Sequence, residues 1–340
     1  MTNNSKHEEV SKDSAITTST VADKAAEPRF HTEPFETDES RMAASRLPVS
    51  KRQWMIKNLI VKYPVFNEGY GIIAENHYPV AGGTHATGTV GAMLGESRTG
   101  KTAVCSYYSA MHPATYDDEG EIFPVIHLTA SINMSPVEFA HELNRLTAAR
   151  YARMHGGVGA YVNNALLRLL KVRTELLIVD DAQYLFFERS SKTAANMFKL
   201  IKTIVDYNTM SVMLVGEERV SDYVNSIDAF VNRGYNSHVL RPLTSGKSDM
   251  KRFEKLLGAI DKRLPFPNLN GFDDPYIAKE MYRYSNGMIG RVMNLVRPAA
   301  FKAMNEGTSR IMIEHLREAV ATRRRKGDTH DYFGGLRDAA

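Results

Sequence analysis

The stretch GESRTGKT, residues 95–102, follows the short apolar run TVGAML, residues 89–94. It fits G-x-x-x-x-G-K-[ST], with an apolar strand expected before it and a helix after it, which is the context such a loop needs to hold phosphate. Gly95 and Gly100 let the backbone turn so that the N–H groups of Glu96, Ser97, Arg98, Thr99 and the helix start through Ala103 converge on an anion. Lys101 brings a point charge to the β- and γ-phosphates, and the Thr102 hydroxyl is a ligand for Mg²⁺. The expected ligands are therefore ATP and Mg²⁺.

Working outward, strands alternate with helices on both sides of the loop, as in a doubly wound parallel sheet. TAVCSYYSAM is expected to be helical up to Pro113, FPVIHLTA to be a strand, and the next helix to start at Ser135 as cap with Pro136 at the first position. A further helix is expected over about Gly159 to Leu170. The run Leu176 to Val179 is continuously apolar, the signature of an interior parallel strand buried on both faces. A helix from about Thr193 to Tyr207, the strand SVMLVG and a fifth strand in HVLRPL, near residue 240, complete the pattern. From Ser245 onward only helical patterns remain, at about 247–260, 274–285, 288–305 and 311–324.

This reading divides the chain into a disordered arm (1–45), an α/β nucleotide-binding core (46–242), an all-helical lid (243–324) and a flexible basic-to-polar tail (325–340). The arm is assigned by composition, since residues rich in Ser, Thr and acidic groups bury too little to offset their ordering entropy. A single helix is expected in KRQWMIKNLIVKY, where Trp54, Ile56, Leu59, Ile60 and Tyr63 recur at helical spacing, followed by the glycine-rich loop ENHYPVAGGTHATG.

An apolar fraction of 43% and a charged fraction of 24% are those of a globular chain with no membrane span. The single cysteine, Cys105, excludes an internal disulfide framework, and its place one turn after the loop points to packing. The first fifty residues lack a continuous hydrophobic segment, so a cytoplasmic location is expected. Of 43 basic and 39 acidic side chains, 37 and 30 lie beyond residue 50, a mild positive bias that is compatible with a polyanionic partner.

A carboxylate pair ends the strand in LLIVDDAQ. Asp180 stands where it can hold the metal, and Asp181 where it can orient or deprotonate water. No paired cysteines, zinc-protease helix or nucleophilic triad accompanies them.

GESRTGKT, LLIVDDAQ, SVMLVGEERV, FVNRGY and SNGMIGRVMNLV, in that order and with a helical end, resemble the AAA+ ATPases. More narrowly, the pattern over roughly residues 50–322 resembles the TniB/TnsC-type ATPases that regulate DNA transposition, including those of CRISPR-associated transposons. The resemblance implies a five-stranded sheet with a C-terminal lid, and a ring or filament with nucleotide at subunit boundaries. It implies double-stranded DNA, a transposase and a target-selection protein as partners.

It also implies residue roles. Arg233 in FVNRGY matches the arginine that reaches a neighbour's γ-phosphate, and Arg291 in SNGMIGRV matches the lid arginine that contacts the subunit's own nucleotide. The DNA channel of such assemblies would be lined after the second strand, where HELNRLTAARYARM offers Arg145, Arg150 and Arg153. Asp181 stands where many relatives have Glu, which implies slow hydrolysis. The polar residue usual after the fourth strand is indistinct in LVGEE, where Glu217 is the nearest candidate and Gly216 permits close approach. Two other readings share these residues: a replication initiator or helicase loader, and a nucleotide-gated protein scaffold that does not bind DNA.

Overall fold

The computed structural model describes residues 28–149, 157–187, 191–324 and 326–334. Among them, α1 (Asp38–Ser45), α2 (Val49–Lys57) and α3 (Pro64–His77) precede β1 (Val90–Leu94) and α4 (Lys101–Met111). A small antiparallel hairpin of β2 (Thr115–Asp117) and β3 (Gly120–Ile122) leads into β4 (Val125–Thr129), α5 (Pro136–Leu146) and α6 (Gly157–Lys171). Then come β5 (Leu176–Asp180), the one-turn α7 (Gln183–Phe186), α8 (Ser191–Asp206), β6 (Ser211–Gly216), two short helices α9 (Arg219–Asn225) and α10 (Asp228–Val231), and β7 (Asn236–Val239). The C-terminal helices are α11 (Lys247–Asp261), α12 (Pro275–Ser285), α13 (Ile289–Glu306) and α14 (Ile313–Ala321). Among the described residues no helix is long and apolar enough to cross a membrane.

The main sheet has five parallel strands in the order β4-β5-β6-β1-β7, as the alternation of strands and helices predicts. Its register pairs Leu94 with Gly216, Val179 with Leu214, and Thr129 with Asp180. The carboxyl ends of β1, β5 and β6 therefore finish side by side, where an open α/β sheet binds its ligand. Both faces are buried. Leu94, Val179 and Leu214 point into one cluster with α5 and α8, while Met93, Ile178 and Val215 point into another with α3 and α4. That two-sided burial is why these strands read as unbroken apolar runs. Cys105 lies fully buried in the second cluster, as expected of a packing residue, and burial pushes its thiol well up.

Several boundaries differ from the sequence expectation. The single helix foreseen over 51–63 ends at Lys57, because Pro64 disfavours helix in the residue before it and Leu59 pairs in parallel with His31. The unforeseen α3 starts with Pro64 at its first position and buries Phe66, Ile72 and Ile73. Its Gly69 hides the helix in the sequence but is needed by the fold, since a Cβ there would lie 2.9 Å from Leu240 Cδ1.

The arm assigned to 1–45 is corrected over 28–45; residues 1–27 lie outside the described residues. Phe35 N donates to Lys262 O and Arg263 Nε to Thr32 O, α1 carries a Thr37–Ser40 capping box, and Ala44 and Arg41 are buried. Composition underestimated this strap, because its order comes from backbone pairing with α11 and α2 and not from its own apolar content. The flexible tail is likewise corrected up to residue 334. Phe333 is fully buried in the lid cluster, Tyr332 nearly so, and Phe333 N donates to Glu280 Oε2.

Candidate nucleotide site

The loop after β1 is shaped by its glycines. Gly95 has φ 145° and lies so close to β7 that a Cβ would sit 2.5 Å from Leu240 O. Gly100, φ 107°, caps α4, so the N–H groups of Lys101 and Thr102 open the helix without intrahelical partners. Lys101 is buried and donates to Gly95 O at 2.7 Å and Glu96 O at 2.8 Å. An ammonium has three donors, so one remains to meet phosphate. Burial pulls the Lys101 pKa down, and the charges of Asp180 and Asp181 oppose that pull.

Asp180 is 1% exposed. Its Oδ1 accepts from Asp181 N at 2.9 Å, while its Oδ2 is buried with no hydrogen-bond donor in place. His127 Nε2 stands 3.5 Å from that oxygen. Burial opposes ionisation of Asp180, yet His127 and the Thr102 hydroxyl outweigh it and hold the carboxyl below the usual aspartate range. An ionised, buried oxygen without a donor, beside a hydroxyl, fits an oxygen-seeking divalent cation such as Mg²⁺.

Asp181 adopts φ 54°, the left-handed region that Asp and Asn tolerate. Burial first, then the Asp180 charge, push its carboxyl above the usual range. The sequence did not single out Gln183, yet this residue fixes Asp181. It is buried, its Nε2 donates to Asp181 Oδ1 at 3.1 Å, and its Oε1 accepts from Glu217 N at 3.3 Å. Gly216 permits that approach, because a Cβ there would lie 2.5 Å from Gln183 Oε1. Glu217, the nearest sensor candidate in the sequence, reaches the same cavity with its carboxylate 2.8 Å from Arg219 Nε.

These groups wall a cavity of about 600 Å³ that runs from the carboxylates to the lid, enough for a nucleotide. Apolar Leu59, Ile60 and Met293, with Tyr63, also line it, and Arg297 of α13 faces it. Arg297 Nε is buried without a hydrogen-bond partner. Helical spacing carries the face: Gly290, Met293, Asn294 and Arg297 line the cavity at i, i+3, i+4 and i+7. Gly290 N also donates to Arg98 O at 2.9 Å, tying lid to loop.

Residues 84–224 match the family model described as "AAA domain". Over that stretch the chain is similar to an AAA domain. Among solved structures, the Aeropyrum pernix ORC2 protein in ADPNP-ADP complexes is similar at 14% identity and a TM-score of 0.55, over 79% of this chain and 70% of that one. The Aeropyrum pernix ORC1 protein in complex with DNA is similar at 16% and 0.53, over 77% of this chain and 65% of its own. Cdc6p from Pyrobaculum aerophilum is similar at 14% and 0.55, over 88% and 74%. At these identities the likeness is one of fold, the AAA+ fold with its helical C-terminal region. No curated protein matches the chain.

Not every residue that the sequence pointed to meets at this cavity. Gly100, Lys101, Thr102, Asp180 and Asp181 come together, with Ser97, Arg98, Thr99 and Ala103 of the loop in the same wall. Arg291 instead faces an adjoining cavity, because one step along the helix from Gly290 turns its side chain about 100° from the nucleotide face. Arg297 occupies that face. Arg233 lies after α10, ion-paired with Asp206 and donating to Ala229 O at 2.6 Å, so it is not aimed at its own subunit's cavity. Arg145 is exposed and paired with Glu142 at 2.5 Å. Arg150 and Arg153 lie outside the described residues.

Proposed function

We propose that this chain is an ATPase whose bound nucleotide times its assembly on double-stranded DNA, and that it regulates DNA transposition by linking a target-selection protein to a transposase. The observation that carries the ATPase reading is the convergence of buried Lys101, the donor-less Asp180 Oδ2 and Asp181 on one nucleotide-sized cavity.

Thr102 and Asp180 would hold Mg²⁺, which supplies charge neutralisation on the phosphates when bound. Lys101 offers its remaining proton donor to the phosphate chain. Asp181, held by Gln183, orients a water and takes its proton. Its raised pKa favours proton acceptance, while the short side chain makes for slow turnover. Arg233 supplies a guanidinium to a neighbouring copy, and to do so it must leave Asp206. The transposition branch is supported by the order and content of the sequence motifs.

Imaging the protein with duplex DNA tests the assembly. ATP-dependent rings or filaments, seen with a non-hydrolysable analogue and lost without nucleotide, are expected; DNA binding indifferent to nucleotide would overturn it. The fold likeness to ORC and Cdc6 proteins favours a second reading, a replication initiator or helicase loader. Retention of a replicative helicase on the immobilised protein, with no retention of a transposase, would select that reading.

A further inference from the structure

A second cavity, of about 920 Å³, opens on the lid side of the phosphate loop. Four stretches far apart in sequence meet there. The loop contributes Arg98, α12 contributes Arg283, α13 contributes Arg291, and the turn after α14 contributes Arg323 and Lys326. Among the described residues in this wall there is one carboxylate, Asp328, and it is occupied: Oδ2 accepts from Tyr332 OH at 3.0 Å and Oδ1 from His330 N at 3.1 Å.

The cations are held in place by the fold. Phe333 is buried in the lid core, and Glu280 accepts from Phe333 N and meets His330 Nε2 at 2.9 Å, which fixes the turn carrying Lys326 and Asp328. Arg98 is fixed at its backbone by the bond from Gly290 N. Arg283 Nη1 pairs with Glu280 Oε1 at 3.1 Å, yet the five cations around the concavity outnumber the two carboxylates, Glu280 and Asp328, so a ligand rich in negative charge is favoured there. Guanidinium forks match phosphate oxygens in pairs.

We propose that this cavity is a binding site for phosphate groups, separate from the nucleotide cavity and formed by the juxtaposition of Arg98, Arg283, Arg291, Arg323 and Lys326. The phosphates come either from the backbone of a nucleic acid or from a free polyphosphate. Ser97, Arg98 and Asn294 wall both cavities, so the loop that wraps the nucleotide also forms one side of this site.

The full-length double variant Arg323→Ala/Lys326→Ala tests it. Both residues are exposed, so the fold is undisturbed, and neither lies in the nucleotide cavity. Affinity for a fluorescent ADP analogue is measured as a control and should be unchanged; its loss in the wild type would refute the ATPase reading and leave this site to be judged by the other arms. Labelled duplex DNA and sodium tripolyphosphate are then titrated separately. If the source is nucleic acid, the variant binds DNA about tenfold more weakly and the slope of log affinity against log salt falls by about 2. If the source is free polyphosphate, tripolyphosphate binding is lost while DNA binding is unaltered. Equal affinities of variant and wild type for both probes would overturn the proposal. The charge-conserving Arg323→Lys/Lys326→Arg variant should restore whichever binding was lost.

Discussion

Replacing Gly216 by alanine would test how Asp181 is held, without touching Asp181, Lys101 or the metal-holding pair. The added Cβ would stand 2.5 Å from Gln183 Oε1 and 3.4 Å from Ala182 N, against an ordinary contact distance near 3.5–4 Å. The backbone at Gly216 is paired in the centre of the sheet, so the amide of Gln183 is the part that gives way, by about 1 Å. Two hydrogen bonds then fail, Gln183 to Asp181 and Glu217 to Gln183. At about 0.5–1.5 kcal/mol each, the fold loses about 1–3 kcal/mol. A displacement of that size at the water-orienting group costs about a hundredfold in turnover. The assay is steady-state ATP hydrolysis beside binding of a fluorescent ATP analogue and thermal unfolding. Analogue affinity should stay within about threefold of wild type, because no phosphate-contacting group moves. Hydrolysis at the wild-type rate would refute the positioning role of Gln183, and Gln183→Ala should reproduce the same loss without the steric clash.

Lys101→Ala should weaken nucleotide binding about a hundredfold, since a charged hydrogen-bond donor is worth about 1.5–3 kcal/mol, and should abolish nucleotide-dependent assembly on DNA; calorimetric titration measures the first and sedimentation the second. Asp181→Asn should slow hydrolysis by a hundredfold or more while raising the melting temperature, because burial and the Asp180 charge disfavour the ionised Asp181 carboxylate and asparagine suits φ 54°. Stability should also fall with acid through His77. Burial lowers its pKa from 6.5 to about 4, opposed by Glu175 beside it. The folded state therefore takes up this proton later than the unfolded chain does. The contribution is fully present above about pH 6.5 and is lost as the pH falls toward about 4, at no more than about 1.4 kcal/mol per pH unit. Urea unfolding across that window should show a shallower slope for His77→Gln; an identical slope would remove His77 from the account.

Much of the site was legible because its demands are local. A tight turn with two glycines, a lysine, a threonine and a strand ending in carboxylates can each be read within eight residues, since the chemistry fixes both residue type and spacing. Gln183 was in plain view in LLIVDDAQ, two positions past Asp181, but its role depends on Gly216 in another strand. Arg291 and Arg297 show the same limit. Both lie on one helix, and only the packing of α13 against the loop through Gly290 and Arg98 decides which arginine faces the nucleotide.

The sequence by itself determined the parallel sheet, the phosphate loop and the helical end, because two-sided burial, backbone turning and helical periodicity leave marks in consecutive residues. Tertiary structure alone decided the rest. It straps residues 28–45 onto the ends of α2 and α11 by backbone bonds, seats Tyr332 and Phe333 in the lid, and gathers five cations from four stretches into one cavity. Backbone pairing and the pooling of charge across distant segments depend on which surfaces meet, and no local pattern of residues records that.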